Sequence, residues 1–175
     1  MYKLVVFAVL ALTTSACGGS GASSAASGSP CGVVASPILT PTPMSSGLIF
    51  KLNGVTTTAS GTVTVSTPVP PPIGLGGSVY FELNVSGLKS CSSHISNLYQ
   101  GSCEQNGNFI EQLNQVVADR QGMAQVMTTA VQKYHLWQRA QSSAPGNGTW
   151  YVVVHSGPDM NGSNAAYLLC GNLFT

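Results

Sequence analysis

The feature of this chain that most limits its fold is a series of short runs, rich in Val, Thr, Tyr and Phe, that starts at Gly47. Gly and Pro bound these runs, which is the pattern of β-strands separated by turns. In one run Val63 and Val65 alternate with Thr and Ser, as expected for a strand with one buried face. The clearest runs cover residues 48–54, 61–66, 78–86, 94–103, 150–155 and 166–174. We expect about eight short strands in all, and therefore an all-β Greek-key sandwich or barrel.

Residues 109–141 fit two different structures. Apolar residues recur there at helical spacing, which predicts two amphipathic helices joined around residues 119–122. The segment Asp119-Arg-Gln-Gly122 is also a short turn with a glycine, which predicts a β-hairpin. The residues at helical spacing are Phe109, Ile110, Leu113, Val116 and Val117 before the turn, and Val126, Met127, Ala130, Val131 and Tyr134 after it. Periodicity by itself favours the helices.

A proline-rich stretch at residues 68–77 separates two of the predicted strands. Proline has no amide hydrogen to donate to a neighbouring strand, so this stretch predicts a loop. Three consecutive prolines, residues 70–72, are typical of a rigid surface connector, and a polyproline docking site is the alternative.

The first 16 residues predict a secretory signal peptide. Lys3 precedes an apolar run, residues 4–12, that is too short to span a bilayer. Small residues then lead to Cys17, which resembles a bacterial lipobox, although Thr14 stands where that motif usually has an apolar residue. We therefore predict a lipidated Cys17 that anchors the protein to a membrane, with ordinary cleavage after Ala16 as the alternative. Residues 17–46, rich in Gly, Ser and Pro, predict a flexible tether before a domain at residues 47–175.

The charge of the chain excludes some classes of partner. Lys and Arg number six and Asp and Glu number five, so that charged residues make up only 6% of the chain. Such a chain has no basic surface for nucleic acid or for anionic membrane lipids.

The cysteines indicate disulfides in an exported protein. With Cys17 assigned to lipid, the four that remain are Cys31, Cys91, Cys103 and Cys170. Four cysteines allow three connectivities, and their spacing does not choose among them. No pair has Cys-x-x-Cys spacing, which argues against a redox motif or a zinc site built from paired cysteines. A cysteine within a tether is there to form a bridge, so we expect Cys31 to attach the tether to the domain.

Three short motifs resemble the copper/zinc superoxide dismutases. They are the stretch from Leu113 to Val126 with its Ala-Asp-x-x-Gly core, Val-Val-His155 followed by Asp159, and Cys170-Gly. The resemblance implies a Greek-key β-barrel and a hairpin in residues 109–141, with a short helix possible around residues 131–139. It also implies a disulfide between Cys103 and Cys170, which leaves Cys31 to pair with Cys91.

The same resemblance implies that the metal site is degenerate. Side chains two apart on a strand point the same way and can bind one metal together, and the two positions where the family has copper-binding histidines hold Asn97 and Tyr99. His94 falls on a supporting position, and only His155 stands on a copper-ligand position. Residues 104–115 contain no His or Asp for zinc, and Tyr167 replaces the arginine that guides the anion. No cofactor is therefore expected.

Two functional hypotheses follow. The first is an exported envelope protein that acts as a non-catalytic binding or structural module, with an unknown envelope protein or ligand as partner. The second is a copper-binding or residual superoxide-dismutating protein that uses His155 and His94. In that alternative His135, Asn97, Tyr99 or Met160 would supply further ligands. A serine hydrolase has no support, because the chain lacks a Gly-x-Ser-x-Gly elbow.

Overall fold

The computed structural model describes Cys31 and residues 46–68, 77–131, 133–142 and 149–174. The described residues form eight strands, one α-helix and one 3₁₀ turn. In chain order the elements are β1 (Leu48–Gly54), β2 (Ser60–Ser66), β3 (Val79–Ser86), β4 (Ser93–Ser102), β5 (Gln105–Val117), β6 (Ala124–Ala130), α1 (Tyr134–Ser142), β7 (Trp150–His155), the 3₁₀ turn (Gly162–Ala165) and β8 (Tyr167–Leu173).

All eight strands belong to one antiparallel sheet in the order β5-β4-β7-β8-β1-β2-β3-β6. The connections from β3 to β4 and from β6 to β7 pass over intervening strands, as in a Greek key. The sheet curls so that its two end strands, β5 and β6, approach each other and nearly close a barrel. The prediction of an all-β sandwich or barrel is confirmed.

The barrel core follows from alternation along the strands. On β3 the side chains of Val79, Phe81, Leu83 and Val85 are buried, while the residues between them are partly exposed. One end of the barrel is covered by α1, whose Trp137 ring packs edge-on to Phe174 at 6.4 Å between centroids. Burial of these apolar side chains supplies most of the favourable free energy of folding.

The two-helix interpretation of residues 109–141 is wrong. Residues 109–130 form two strands with a turn between them, as the hairpin interpretation predicted, but β5 and β6 are the two ends of the sheet and do not pair with each other. β5 and β6 are joined by a turn in which the Asp119 carboxylate accepts hydrogen bonds from the backbone N–H groups of Gln121 and Met123, both at 2.8 Å. Gly122 has a φ of +75°, and a Cβ added there would lie 2.2 Å from the Leu88 carbonyl oxygen. Only glycine fits that position without strain. The single α-helix, α1, begins at residue 134, close to the predicted segment 131–139.

β5 carries three extra residues relative to its neighbour β4. The register between the two strands shifts at three places, and each shift places one additional residue on β5. Leu113 pairs with Ser96 and Val116 pairs with His94, so three steps on β5 match two on β4. These are β-bulges, which bend a strand and protect an exposed edge from pairing with other chains.

The gap between the end strands is bridged by Asn114 of β5. Its backbone N–H donates to Oγ1 of Thr128 at 2.7 Å, and its side-chain Nδ2 donates to the Met127 carbonyl at 2.7 Å. Thr128 and Met127 both belong to β6. Side-chain hydrogen bonds thus replace part of the missing strand pairing at this seam, which we call the β5–β6 seam.

The described residues contain two disulfides. One joins Cys103, at the turn between β4 and β5, to Cys170 in β8, and the other joins Cys31 to Cys91. This is the pairing that the resemblance implied. It also attaches residue 31, in the predicted tether, to the folded domain.

Several predicted features lie outside the described residues. They are the signal peptide at residues 1–16, Cys17, the tether apart from residues 31 and 46, and the three prolines at 70–72. In the part of the chain that the structure describes, no helix has the length and apolar character needed to cross a membrane.

Candidate functional site

The predicted site residues meet on the outer face of the sheet, around the end of β7. This strand is buried on both faces: Trp150, Val152 and Val154 belong to the barrel core, while Tyr151 and Val153 pack on the opposite side. That double burial explains why its sequence is almost entirely apolar. His155 ends the strand and is fully buried.

Both ring nitrogens of His155 are hydrogen-bonded. Nδ1 lies 2.7 Å from the Ala165 carbonyl oxygen, which can only accept, so Nδ1 carries the proton. Nε2 is then an acceptor, and it lies 3.2 Å from Nδ2 of Asn97 and 3.3 Å from the hydroxyl of Tyr99. Burial lowers the pKa of His155 below its usual value near 6.5, and the bond to Ala165 offsets part of that effect. The imidazole is therefore a neutral, buried group with its hydrogen-bonding capacity filled.

The Asn97 amide lies at the centre of this cluster. Its Nδ2 is 3.2 Å from the Tyr99 hydroxyl and 3.9 Å from the Met160 sulfur, in addition to its contact with His155. Two amide hydrogens are thus shared among three acceptors. Asn97 is only 4% exposed, whereas Met160 is 50% exposed and forms the rim of the cluster.

His94 is attached to the cluster through the backbone. Its Nδ1 donates to the carbonyl oxygen of His155 at 2.9 Å, and its Nε2 lies 2.7 Å from Oγ of Ser92. Its ring nitrogens are therefore occupied by structural hydrogen bonds. The side chain is 5% exposed.

Aromatic rings surround the polar centre. Tyr99 stacks on Tyr151 with 5.2 Å between ring centroids, and Tyr167 contacts His155 edge-on at 5.5 Å. The Tyr151 and Tyr167 hydroxyls are 3.3 Å apart. Burial, followed by the hydrogen bond between its hydroxyl and that of Tyr151, raises the pKa of Tyr167 well above its ordinary value of 10, so this phenol stays neutral.

The loop at residues 156–166 holds Met160 in place. The Asp159 carboxylate accepts hydrogen bonds from the Asn161 backbone N–H at 2.9 Å and from Nδ2 of Asn164 at 3.0 Å. These bonds also hold the pKa of Asp159 below its ordinary value. The loop is joined to β4 by the Ile95 N–H, which donates to the Gly157 carbonyl at 2.9 Å. Asp159 therefore shapes the loop and does not face His155.

The structure brings together four of the residues singled out from the sequence, namely Asn97, Tyr99, His155 and Met160. His135 lies on α1, away from this cluster. Tyr151 was missed, although it stands four residues before His155 on one strand, which places both side chains on the same face of the sheet. Within the described ranges, no group of three or more His, Cys, Asp and Glu side chains is arranged to hold a metal ion.

The described residues form a disulfide-bonded, all-β domain in which the buried His155 imidazole has its hydrogen-bonding capacity filled by neighbouring protein groups. A family model of the CHRD domain matches residues 41–162, well over half of the chain. The chain therefore belongs to the CHRD domain family. β8 lies beyond the matched range but is hydrogen-bonded into the same sheet, and no curated protein matches the chain.

The assignment to the copper/zinc superoxide dismutases is wrong, because the matching family model is that of the CHRD domain. The three motifs behind it have local explanations. Val-Val-His155 is part of a strand buried on both faces, Ala-Asp-x-x-Gly122 is the turn between β5 and β6 that needs an Asp and a glycine, and Cys170 forms a disulfide. Short motifs of this kind identify a β-domain more readily than a family.

Proposed function

We propose that this protein is a lipid-anchored module on the extracytoplasmic side of a membrane, where its CHRD domain binds an envelope protein or ligand, or has a structural role, without catalysis. The two disulfides support export, because such bonds persist outside the reducing cytoplasm. Cys17, which directly follows the predicted signal peptide, supports the anchor. The low charge of the chain argues against nucleic acid as the partner.

The absence of catalysis is proposed because both ring nitrogens of His155 already make hydrogen bonds within the protein. A general base or a metal ligand needs a nitrogen lone pair directed at substrate or metal. The only acceptor nitrogen of this imidazole already receives contacts from Asn97 and Tyr99. A metal at Nε2 would have to displace both groups, and a charged His155 would be opposed by burial.

Copper binding is the alternative, and a binding assay with a matched variant separates it from the proposal. The full chain and its His155→Ala variant are incubated with copper, dialysed and analysed for bound metal. We expect neither protein to retain stoichiometric copper. Retention of one copper by the native protein and its loss in His155→Ala would contradict the proposal, whereas equal small amounts in both reflect binding elsewhere.

A further inference from the structure

Four loops gather at one end of the barrel. Because the strands are antiparallel, β1, β3, β5 and β7 all run toward this end, and the loops that follow them cover it. Backbone hydrogen bonds pack two of these loops together: the Leu88 N–H donates to the Gly122 carbonyl at 3.0 Å, and the Cys91 N–H to the Asp119 carbonyl at 3.1 Å. We call the surface formed by residues 55–59, 87–92, 118–123 and 156–166 the cysteine pole.

The chain that comes from Cys17 is attached to the cysteine pole. Cys91 lies in one of its loops and is bonded to Cys31. Residues 46 and 47, which lead directly into β1, lie by contrast at the opposite end of the barrel. The link from Cys17 to Cys31 is 14 residues long and rich in Gly and Ser, and a chain of that kind has a root-mean-square end-to-end distance of about 20 Å. An anchor at Cys17 therefore keeps the cysteine pole close to the membrane.

Three apolar side chains project from this pole into solvent. They belong to three different loops: Val55 is 56% exposed, Met123 is 52% exposed and Met160 is 50% exposed. Apolar side chains are exposed elsewhere as well, among them Ile49 at 70% and Val131 at 62%, so exposure by itself does not select this pole. The covalent link to Cys17 selects it, and the three side chains then offer the bilayer apolar contact. Methionine suits this role because its side chain is flexible and polarizable.

Charge on the cysteine pole is balanced. Lys89 and Arg120 are exposed, and Asp119 and Asp159 lie in the same loops. Both carboxylates accept hydrogen bonds within their own loops. The pole therefore neither repels an anionic bilayer nor depends on one, and apolar contact is the interaction that its chemistry offers.

We propose that the cysteine pole rests on the lipid bilayer, with Val55, Met123 and Met160 in the interfacial region. This inference depends on the lipid anchor at Cys17 that belongs to the proposed function. Three half-exposed side chains would hold a free protein weakly. An anchor raises their effective concentration at the membrane, because contact then becomes an intramolecular event. The opposite end of the barrel would be presented to partners.

Site-specific photo-crosslinking on the anchored protein tests this orientation. The full chain is produced with its signal peptide in a bacterial host, acylation at Cys17 is measured by mass spectrometry, and the protein is placed in vesicles of phosphatidylethanolamine and phosphatidylglycerol. A photoreactive amino acid replaces either Met123 or Ile49. Ile49 is the matched control, since it is 70% exposed and lies at the start of β1, toward the opposite end.

We expect the yield of lipid adducts at position 123 to exceed that at position 49 by about fivefold or more. The ratio should be the same in phosphatidylcholine vesicles, because the pole has no net charge. In a Cys31→Ser, Cys91→Ser double variant the ratio should fall toward one, because the link to the anchor then no longer ends at this pole. The ratio of adduct yields at positions 123 and 49 is measured in protein with both disulfides, so it tests the orientation even if the double variant does not fold.

The experiment tests the orientation of the cysteine pole and the lipid anchor at Cys17 separately. Equal adduct yields at positions 123 and 49 in acylated protein would overturn the orientation and leave the anchor intact. A protein without acyl chains at Cys17 would overturn the anchor, and with it the orientation that rests on it.

Discussion

At the scale of single residues, His155 shows how burial decides the use of an ionisable group. The imidazole is inside the protein, its proton is held on Nδ1 by the Ala165 carbonyl, and its other nitrogen faces Asn97 and Tyr99. Protonation of Nε2 would place a cation in a buried site beside an amide that already donates to it. The side chain therefore acts as a neutral hydrogen-bond hub that joins β4, β7 and the 156–166 loop.

The state of His155 makes stability depend on pH. Its folded-state pKa is lowered by burial, so the unfolded chain takes up a proton more readily than the folded protein. The stabilisation is complete above the unfolded value near 6.5, and it is lost as the pH falls from that value toward the folded-state pKa. In His155→Gln we expect a smaller fall in unfolding free energy between neutral and mildly acidic pH, measured by urea denaturation. Parallel pH profiles of variant and native protein would refute this role.

Replacing His155 also removes hydrogen bonds in a buried site. Loss of the bond to Ala165 leaves a partly buried carbonyl without its donor, so His155→Gln should lower the unfolding free energy at neutral pH by about 1–3 kcal/mol. This loss of unfolding free energy is separate from the change in its pH dependence, because it is also present at a pH where the imidazole is neutral.

At the scale of elements, β5 explains why periodicity pointed to a helix. In a regular strand the buried positions are two apart, but Leu113 and Val116 are both buried and three apart. The extra residue of a bulge restores both side chains to the same face. In β6 every second residue points inward, and Ala124, Thr128 and Ala130 are buried. The apparent helical spacing arose because Met127, and Val131 just after the strand, are apolar although their side chains are exposed.

The β5–β6 seam should be sensitive to a single hydroxyl. Thr128→Val keeps the side-chain shape but removes the acceptor for the Asn114 backbone N–H, so we expect a loss of about 1–3 kcal/mol in unfolding free energy. Amide hydrogen exchange should rise in β5 and β6 more than in β7. Gln115→Ala, at an exposed neighbour on β5, is the control and should change little. A Thr128→Val protein as stable as the native one would show that the seam is held by other contacts.

At the scale of the whole molecule, the two disulfides have different roles. The bond between Cys103 and Cys170 ties the β4–β5 turn to β8 within the sheet, and Cys170 is only 5% exposed. The other bond joins Cys31, which precedes the sheet, to Cys91 in an exposed loop. The first restrains the barrel, and the second attaches a segment to it.

These roles predict different responses to loss of each bond. Replacing Cys103 and Cys170 by serine should lower the unfolding free energy by about 2–5 kcal/mol, and the same change at Cys31 and Cys91 should cost less. A mild reductant should open the Cys31–Cys91 bond first, because thiolate attack needs access to a sulfur atom. Mass-spectrometric mapping after timed reduction measures the order, and prior opening of Cys103–Cys170 would contradict this assignment.

Local sequence patterns determined six of the eight strands and the Asp119–Gly122 turn, because alternation, β-branching and turn residues act over a few neighbouring positions. In β5 and β6 the local pattern pointed to helices instead. The resemblance to the superoxide dismutases singled out His155, Asn97 and Tyr99 as parts of one site, although the chain does not belong to that family. Only the tertiary structure decided what those residues do. The carbonyl of Ala165, the sulfur of Met160 and the ring of Tyr151 come from separate elements. Hydrogen bonding and burial between distant segments depend on how the sheet closes, and no local pattern records that closure.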